Sequence, residues 1–384
     1  MKSWHKDWRG IIHFRRRKLT WGLLFLLFST RPQAQIERLP QLGYLFPGGG
    51  QRGTTLEILV GGSRLMRSSA ALISGKGVEA EVIEVFPALR SLSQEQRKTL
   101  RWLVNNAYRK LAGWPVKETL PPEENSETLP RAPLLRKLEN PTKEDLQRIV
   151  YEYLTPKKIQ QFTPAIAETV LLKLTISPDA EPGWRQLRLV TPTGLSQPLP
   201  FQIGTWPEVL ELEPNEKNSP LPVKLPVVIN GQIEPGDVDT FRFQATKGQK
   251  LLITVWARRL VPFLADAVPG WFEALATLYD RKGKVLASAD CYEYDPDPVI
   301  TWMVPETDEY ILEIRDSLYR GRKDFVYRVS ISESPLVKSI FPAGAREGNS
   351  LVPTLYGWNL PVDKIALDTT PGYSAYRETA WLAG

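Results

Sequence analysis

Cysteine and histidine are almost missing from this sequence, and their scarcity closes off several kinds of chemistry. Cys291 is the single cysteine in 384 residues, so no disulfide can form within the chain. A lone thiol of this kind is expected to pack as a small buried hydrophobe rather than act as a nucleophile. The two histidines are His5 and His13. Both precede an N-terminal apolar stretch that reads as an export signal, so cleavage would leave a chain without imidazole. That excludes Ser-His-Asp and Cys-His catalysis and every histidine-ligated metal site. The sequence also carries no phosphate loop, zinc-ligand spacing or dinucleotide fingerprint. Net positive charge is scarce once the N-terminus is set aside. The formal charge is +6, and much of it lies in the first eighteen residues. The remainder is nearly neutral, which argues against a nucleic-acid partner.

The N-terminus has the layout of a targeting segment. Arg15-Arg16-Arg17-Lys18 precedes a short apolar core, Leu19 to Phe28, and small and polar residues follow up to Ala34. A basic region, an apolar core and a cut after Ala34 describe a signal peptide over residues 1–34. The core is shorter than the about 20 residues a comfortable span needs. The alternative is an uncleaved signal anchor, because Pro32 suits the cleavage pocket poorly. The expected location is therefore outside the cytoplasm: periplasm, cell surface or medium. Membrane contact is expected only through an uncleaved signal.

What is abundant is proline, with 33 residues, and tryptophan, with 12. Frequent proline between short apolar runs favours β-sandwiches over long helices. Thr54 to Val60 and Val78 to Val85 alternate as half-buried strands do, with Gly61-Gly62 between them. Glu168 to Ile176 and Trp184 to Val190 alternate again. Between them the period changes. Ser93 with Gln96 forms a capping box ahead of a helical stripe of Leu100, Leu103, Val104, Ala107, Tyr108 and Leu111. A Pro- and Glu-rich linker from Leu120 to Pro133 follows. A second helix starts near Thr142, with Leu146, Ile149, Val150 and Tyr153 inward. The expected fold class is all-β. Residues 35–90 and 161–205 form the two halves of an Ig-like sandwich, and residues 91–160 are a helical insertion. The glycine-turn pattern of the first sandwich resembles the IPT/TIG group of Ig-like domains. Phe341-Pro342-Ala343-Gly344-Ala345-Arg346-Glu347-Gly348 parallels Phe46-Pro47-Gly48-Gly49-Gly50-Gln51-Arg52-Gly53, so residues 335–384 read as a partial Ig-like repeat.

Residues 206–334 carry the most specific pattern. Glu211-Leu212-Glu213-Pro214-Asn215-Glu216 is an acidic linker broken by proline. Ile229 to Phe243 then reads as a strand, a Pro235-Gly236 turn, an acidic corner at Asp237 and Asp239, and a strand with Phe241 and Phe243 on one face. The pattern continues through Lys247-Gly248-Gln249, Leu278-Tyr279-Asp280, Gly283-Lys284, Glu309-Tyr310 and Arg315-Asp316 to Tyr327-Arg328-Val329. This stretch resembles the bacterial pre-peptidase C-terminal (PPC) domain, to which collagenase collagen-binding domains are related. The resemblance implies a jelly-roll-like sandwich. It also implies a calcium site: Glu211, Glu213 and Asn215 from the linker, with Glu216 where the family often has aspartate, and Asp239 from the corner. Asp237 is a further oxygen donor nearby. Gly236 stands where another ligand can occur, which weighs against a two-ion site. Calcium takes six to eight oxygens, and two segments joined by a sheet can supply several.

Two other groupings are candidates. The loop Asp290 to Pro298 gathers Asp290, Glu293, Asp295 and Asp297 beside Tyr292 and Tyr294, and reads as a charged sandwich loop or as a sugar or cation site. Tyr319, Arg320, Arg322 and Tyr327, with Phe325, Trp256, Arg258 and Arg259, form a candidate ligand-binding surface, since Tyr and Arg dominate recognition surfaces. The reading is an exported, non-catalytic binding or adhesion protein that engages an extracellular protein or polysaccharide, with calcium stiffening its linker. An accessory region of a secreted peptidase or other hydrolase, and a structural spacer of the envelope, are the alternatives. Retention on a polymer separates binder from spacer, and a linked catalytic domain would favour the accessory role.

Overall fold

The computed structural model describes residues 39–116, 128–155 and 162–367. The expected signal segment, both histidines and much of the Pro- and Glu-rich linker lie outside the described residues. The described part is an all-β sandwich fold with two short helices.

Two sheets form first. One runs in the order Gln41–Phe46, Thr55–Ser63, Glu168–Ile176, Val78–Phe86, antiparallel throughout. The other joins Gly49–Gln51, Leu199–Gly204, Gly183–Thr191 and Ala70–Ile73. The alternating residues of the sequence meet between them: Ile58, Val60, Val170, Leu172, Leu174, Leu187, Leu189 and Phe201 are all buried in one core. That burial, at about 25 cal/mol per Å² of apolar area, holds the layers together.

The chain leaves the first sheet after Phe86 and returns to it at Glu168. In between, helix Gln94–Leu111 starts at the Ser93–Gln96 capping box, with both reciprocal bonds present. Helix Lys143–Ile149 starts at a second box, Thr142 with Asp145. The boxes satisfy amide groups that helix starts leave without a partner. Leu100, Val104, Leu135, Leu146 and Ile149 form a small separate core. Leu111 departs from the expected stripe and is exposed, because the last turn runs past the end of that core.

A second pair of sheets follows. Glu208–Leu210, Val227–Gln232, Val326–Ser332, Lys250–Trp256 and Val299–Met303 make one; Leu221–Pro222, Asp239–Ala245, Asp308–Asp316, Ala274–Asp280 and Val285–Ala289 make the other. Phe241 and Phe243 both point inward, with Arg242 and Gln244 outward, as period-2 alternation requires. They meet Ile229, Ile253, Leu278, Leu312, Val329 and Ile331. The tail contributes a hairpin of Leu336–Phe341 with Thr354–Trp358.

The two sandwiches touch through a polar knot. Arg328 is fully buried. Its guanidinium donates to Glu208 at 2.8 and 2.9 Å, to Asn230 at 2.7 Å and to Gln202 of the first sandwich at 3.2 Å. A two-pronged pair of this kind suits a buried Arg, whose charge is costly unless fully bonded. Gly49 makes room for it: a Cβ there would lie 2.5 Å from the guanidinium carbon. Trp184 and Trp256 pack edge to face beside it, 5.8 Å apart.

Candidate functional site

The acidic linker is held as a sheet edge. Glu208–Leu210 runs parallel to Val227–Gln232, and the amide of Glu211 extends the pairing to the Asn230 carbonyl at 3.0 Å. Glu211 Oε1 then accepts from the Gln232 amide at 2.7 Å. Beyond Pro214 the Asn215 carbonyl accepts from both the amide and the hydroxyl of Thr240, at 2.8 and 2.6 Å. Thr240 follows Asp239, so this pin brings the acidic corner against the linker. Gly231 is required here. A Cβ on it would fall 2.1 Å from the Tyr327 ring and 2.2 Å from Glu211 Oε2.

As a result Glu211, Glu213 and Asp239 each place a carboxylate oxygen within 4.8 Å of the others, and all three residues are buried. Asn215 is buried beside them. Glu213 Oε1, Asp239 Oδ1 and Asn215 Oδ1 have no hydrogen-bond partner among the described residues. Acceptors shut away from water without a donor are costly, so a buried ring of them fits a hard cation.

The electrostatics agree. Burial, then the charge of Glu213, pushes the Glu211 carboxyl well above its usual range. Burial, then the charge of Glu211, does the same to Asp239. Burial, then the charge of Asp237, pushes Glu213 up to about 8. Like charges crowded in a poorly solvated space require protons or a cation.

The six residues expected at the metal site do not all converge. Glu211, Glu213, Asp239 and Asn215 do. Asp237 is buried alongside and accepts from the amides of Glu234 and Val238 at 3.2 and 3.0 Å, outside the group of three. Glu216 is exposed, because the linker turns outward there toward Ser219.

The expected aromatic-basic surface does not exist as a surface. Tyr327 is 1% exposed and Arg322 is 6% exposed. The Tyr327 strand lies in the middle of its sheet, so its ring faces the core and its hydroxyl the carboxylates. Arg322 forms a two-pronged pair with Asp324 at 2.5 and 2.7 Å and also donates to the Val268 carbonyl at 3.0 Å. Arg320 is tied to Asp316 at 2.8 and 2.9 Å. Tyr319 is open to solvent, with Arg315 over its ring, and so is Arg259. In the loop from Asp290 to Pro298, Asp297 accepts from the amides of Ala257, Arg258 and Arg259 at 3.1, 2.7 and 3.0 Å, while Asp295 pairs with Arg259 and Glu293 with Lys338. Those acids organise the loop. Cys291 corrects its expectation as well: it is exposed, on a loop beyond the last strand of the sheet.

The helical segment adds what the sequence reading omits. Gln147 donates to the Glu213 carbonyl, and Arg148 to the Glu211 carbonyl at 2.7 Å. Tyr151 lies close enough for the charges of Asp237, Glu213, Glu234 and Asp239 to raise its hydroxyl pKa, after burial itself. Part of the signal was there: within helix Lys143–Ile149, Gln147 and Arg148 fall outside the apolar stripe of Leu146 and Ile149. Between this segment, the linker and the first sandwich lies a cavity of about 680 Å³.

No protein-family model matches the chain, and no curated protein matches it. Solved structures do show likenesses. One is the pre-peptidase C-terminal domain of a collagenase from Bacillus anthracis, at 13% identity over 34% of this chain and 100% of that one, with a TM-score of 0.22. Another is SGBP-B of a Bacteroides ovatus mixed-linkage glucan utilization locus, solved with a mixed-linkage heptasaccharide, at 8% identity over 74% and 72%, TM-score 0.18. A third is the C-terminal domain of the antigen I/II-family protein AspA of Streptococcus pyogenes, at 9% identity over 85% and 98%, TM-score 0.17. At these values none carries a residue-by-residue correspondence. Among the described residues no helix is long and apolar enough to cross a membrane.

Proposed function

We propose that this chain is an exported, non-catalytic binding protein for an extracellular protein or polysaccharide, with calcium locking its linker to the second sandwich. The observation behind the calcium reading is the buried cluster of Glu211, Glu213 and Asp239 with acceptor oxygens that lack a donor among the described residues. Asn215 supplies the neutral oxygen such sites commonly include. The cluster suits holding rather than turnover. Glu211 Oε1 accepts from the Gln232 amide, and the Tyr327 hydroxyl lies between Glu211 Oε2 and Asp239 Oδ2 and donates to one of them, which fixes the carboxylates instead of freeing them for proton transfer.

Calorimetry and thermal unfolding of the full secreted chain test the ion. Binding heat should appear, and free calcium at 100 times its Kd should stabilise the fold by about 2.7 kcal/mol. Absence of both heat and thermal shift would end the calcium reading. Retention of the same chain on immobilised protein and polysaccharide polymers tests the binding role, and release from all of them would end that one.

A further inference from the structure

We propose that the cavity enclosed by the helical segment is the ligand site, and that it takes a short neutral oligosaccharide segment. This rests on the binding role proposed above and names its site and ligand class. The volume, about 680 Å³, falls in the range of small-ligand sites, about 300–1,000 Å³. It suits a few sugar rings rather than a folded partner.

The lining selects the chemistry. Phe46 of the first sandwich and Tyr151 and Tyr153 of the helical segment line it and are each half-buried. Aromatic rings offer flat apolar surface to the C–H face of a pyranose. The basic groups along the wall are Lys137, Arg148 and Lys323; both lysines come paired with acids, and Arg148 donates to the Glu211 carbonyl at 2.7 Å. Lys137 Nζ lies 2.6 Å from Glu57 Oε2, and Lys323 Nζ lies 3.2 Å from Glu152 Oε1. An ammonium ligand would compete with Lys137 and Lys323 for Glu57 and Glu152, with Arg328 for Glu208, and with calcium for Glu211 and Glu213. A carboxylate ligand would meet Glu211 and Glu213, which line the same cavity. A sugar hydroxyl does neither. It donates and accepts at once, and can bridge a lysine N–H and a carboxylate oxygen without breaking the pair. Aromatic faces beside paired charges therefore match a neutral polyol.

The test uses the full secreted chain and four neutral trisaccharides: cellotriose, maltotriose, xylotriose and chitotriose. Trilysine and triglutamate are the charged controls. Each is titrated by calorimetry with calcium and again with chelator. At least one trisaccharide should bind with a Kd between about 10 µM and 1 mM, and neither charged peptide should bind more tightly. Tyr151→Ala and Lys137→Ala should each weaken binding at least about tenfold, while Tyr151→Phe, which keeps the ring, should hold affinity within about threefold. If Tyr151→Ala fails to fold, the partly exposed Lys137 position decides. The proposal is overturned if no trisaccharide binds in either calcium condition, if a charged peptide binds better, or if the folded variants bind as the parent does. Loss of sugar binding with calcium heat intact sinks this site alone. Retention on a polymer without trisaccharide binding leaves the binding role standing and moves the ligand off the cavity.

Discussion

The Tyr327 hydroxyl lies 2.6 Å from Asp239 Oδ2 and 2.9 Å from Glu211 Oε2. A phenol has one proton and can donate to only one of these oxygens at a time. These two oxygens therefore share a single donor, and the remaining negative charge of the pair needs an answer from elsewhere. Tyr327→Phe keeps the ring in the core and removes that donor. It should cost the metal-free chain roughly 1–3 kcal/mol in denaturant unfolding, with polymer retention unchanged. Loss of retention at full stability would place Tyr327 at a ligand surface after all.

Calcium affinity should depend on the cluster and not on its neighbour in sequence. Glu213→Gln and Asp239→Asn should each weaken calcium binding at least about tenfold, since each removes a charged ligand. Glu216→Gln should leave it within about twofold, because its carboxylate points to solvent. Calorimetric titration of the three variants against the parent checks this. Equal loss in all three would mean that the exposed linker, and not the buried cluster, holds the ion.

Acid stability should report on Asp316. Burial alone would raise its pKa, but hydrogen bonds from the Arg320 side chain and from the amides of Arg320, Glu273 and Leu318 outweigh it and hold the pKa below the usual 3.8. The folded state thus binds this proton less readily than the unfolded chain. The stabilisation is fully present above the unfolded pKa and is lost as pH falls through the folded one. Asp316→Asn should destabilise by roughly 3 kcal/mol at neutral pH. The gap between variant and parent should shrink as the pH is taken below about 4. A gap that is constant from neutral pH into acid would rule out this linkage.

Arg328 should be one of the most sensitive single positions for stability. Replacing it with Met leaves the half-buried Glu208 with only the Asn230 amide as partner, and the penalty should be roughly 3 kcal/mol. Because Gln202 also bonds the guanidinium, hydrogen exchange in Leu199–Gly204 of the first sandwich should rise together with that in Val326–Ser332. Faster exchange confined to the second sandwich would show that the knot does not couple the two.

Much of the architecture is legible in local patterns. The alternation of Thr54 to Val60 and of Phe241 to Ala245 matches their burial because a strand presents every second residue to one face. Ser93 with Gln96 and Thr142 with Asp145 mark both helix starts because a capping box is a bond between residues three apart. Two short paired segments, Leu221–Pro222 and Val285–Ala289, escape this kind of reading, since neither is long enough to show a period. The acidic linker and corner are visible as composition, and Glu211, Glu213, Asn215 and Asp239 do come together.

Other features depend on which surfaces cover which. Tyr327 and Arg322 look alike from the sequence whether they face solvent or the interior; position in the middle of a sheet and pairing with Asp324 put them inside. The helical stripe marks only Leu146, Ile149, Val150 and Tyr153 of the second helix as inward, yet Gln147 and Arg148 close over the linker. The amino-acid order by itself determined the periods, the caps and the grouping of acids, because these arise between residues close along the chain. Only the tertiary structure decided that the helical segment roofs a cavity and that three carboxylates share one buried space. Those facts rest on contacts between residues far apart in the chain, and local periodicity carries no record of them.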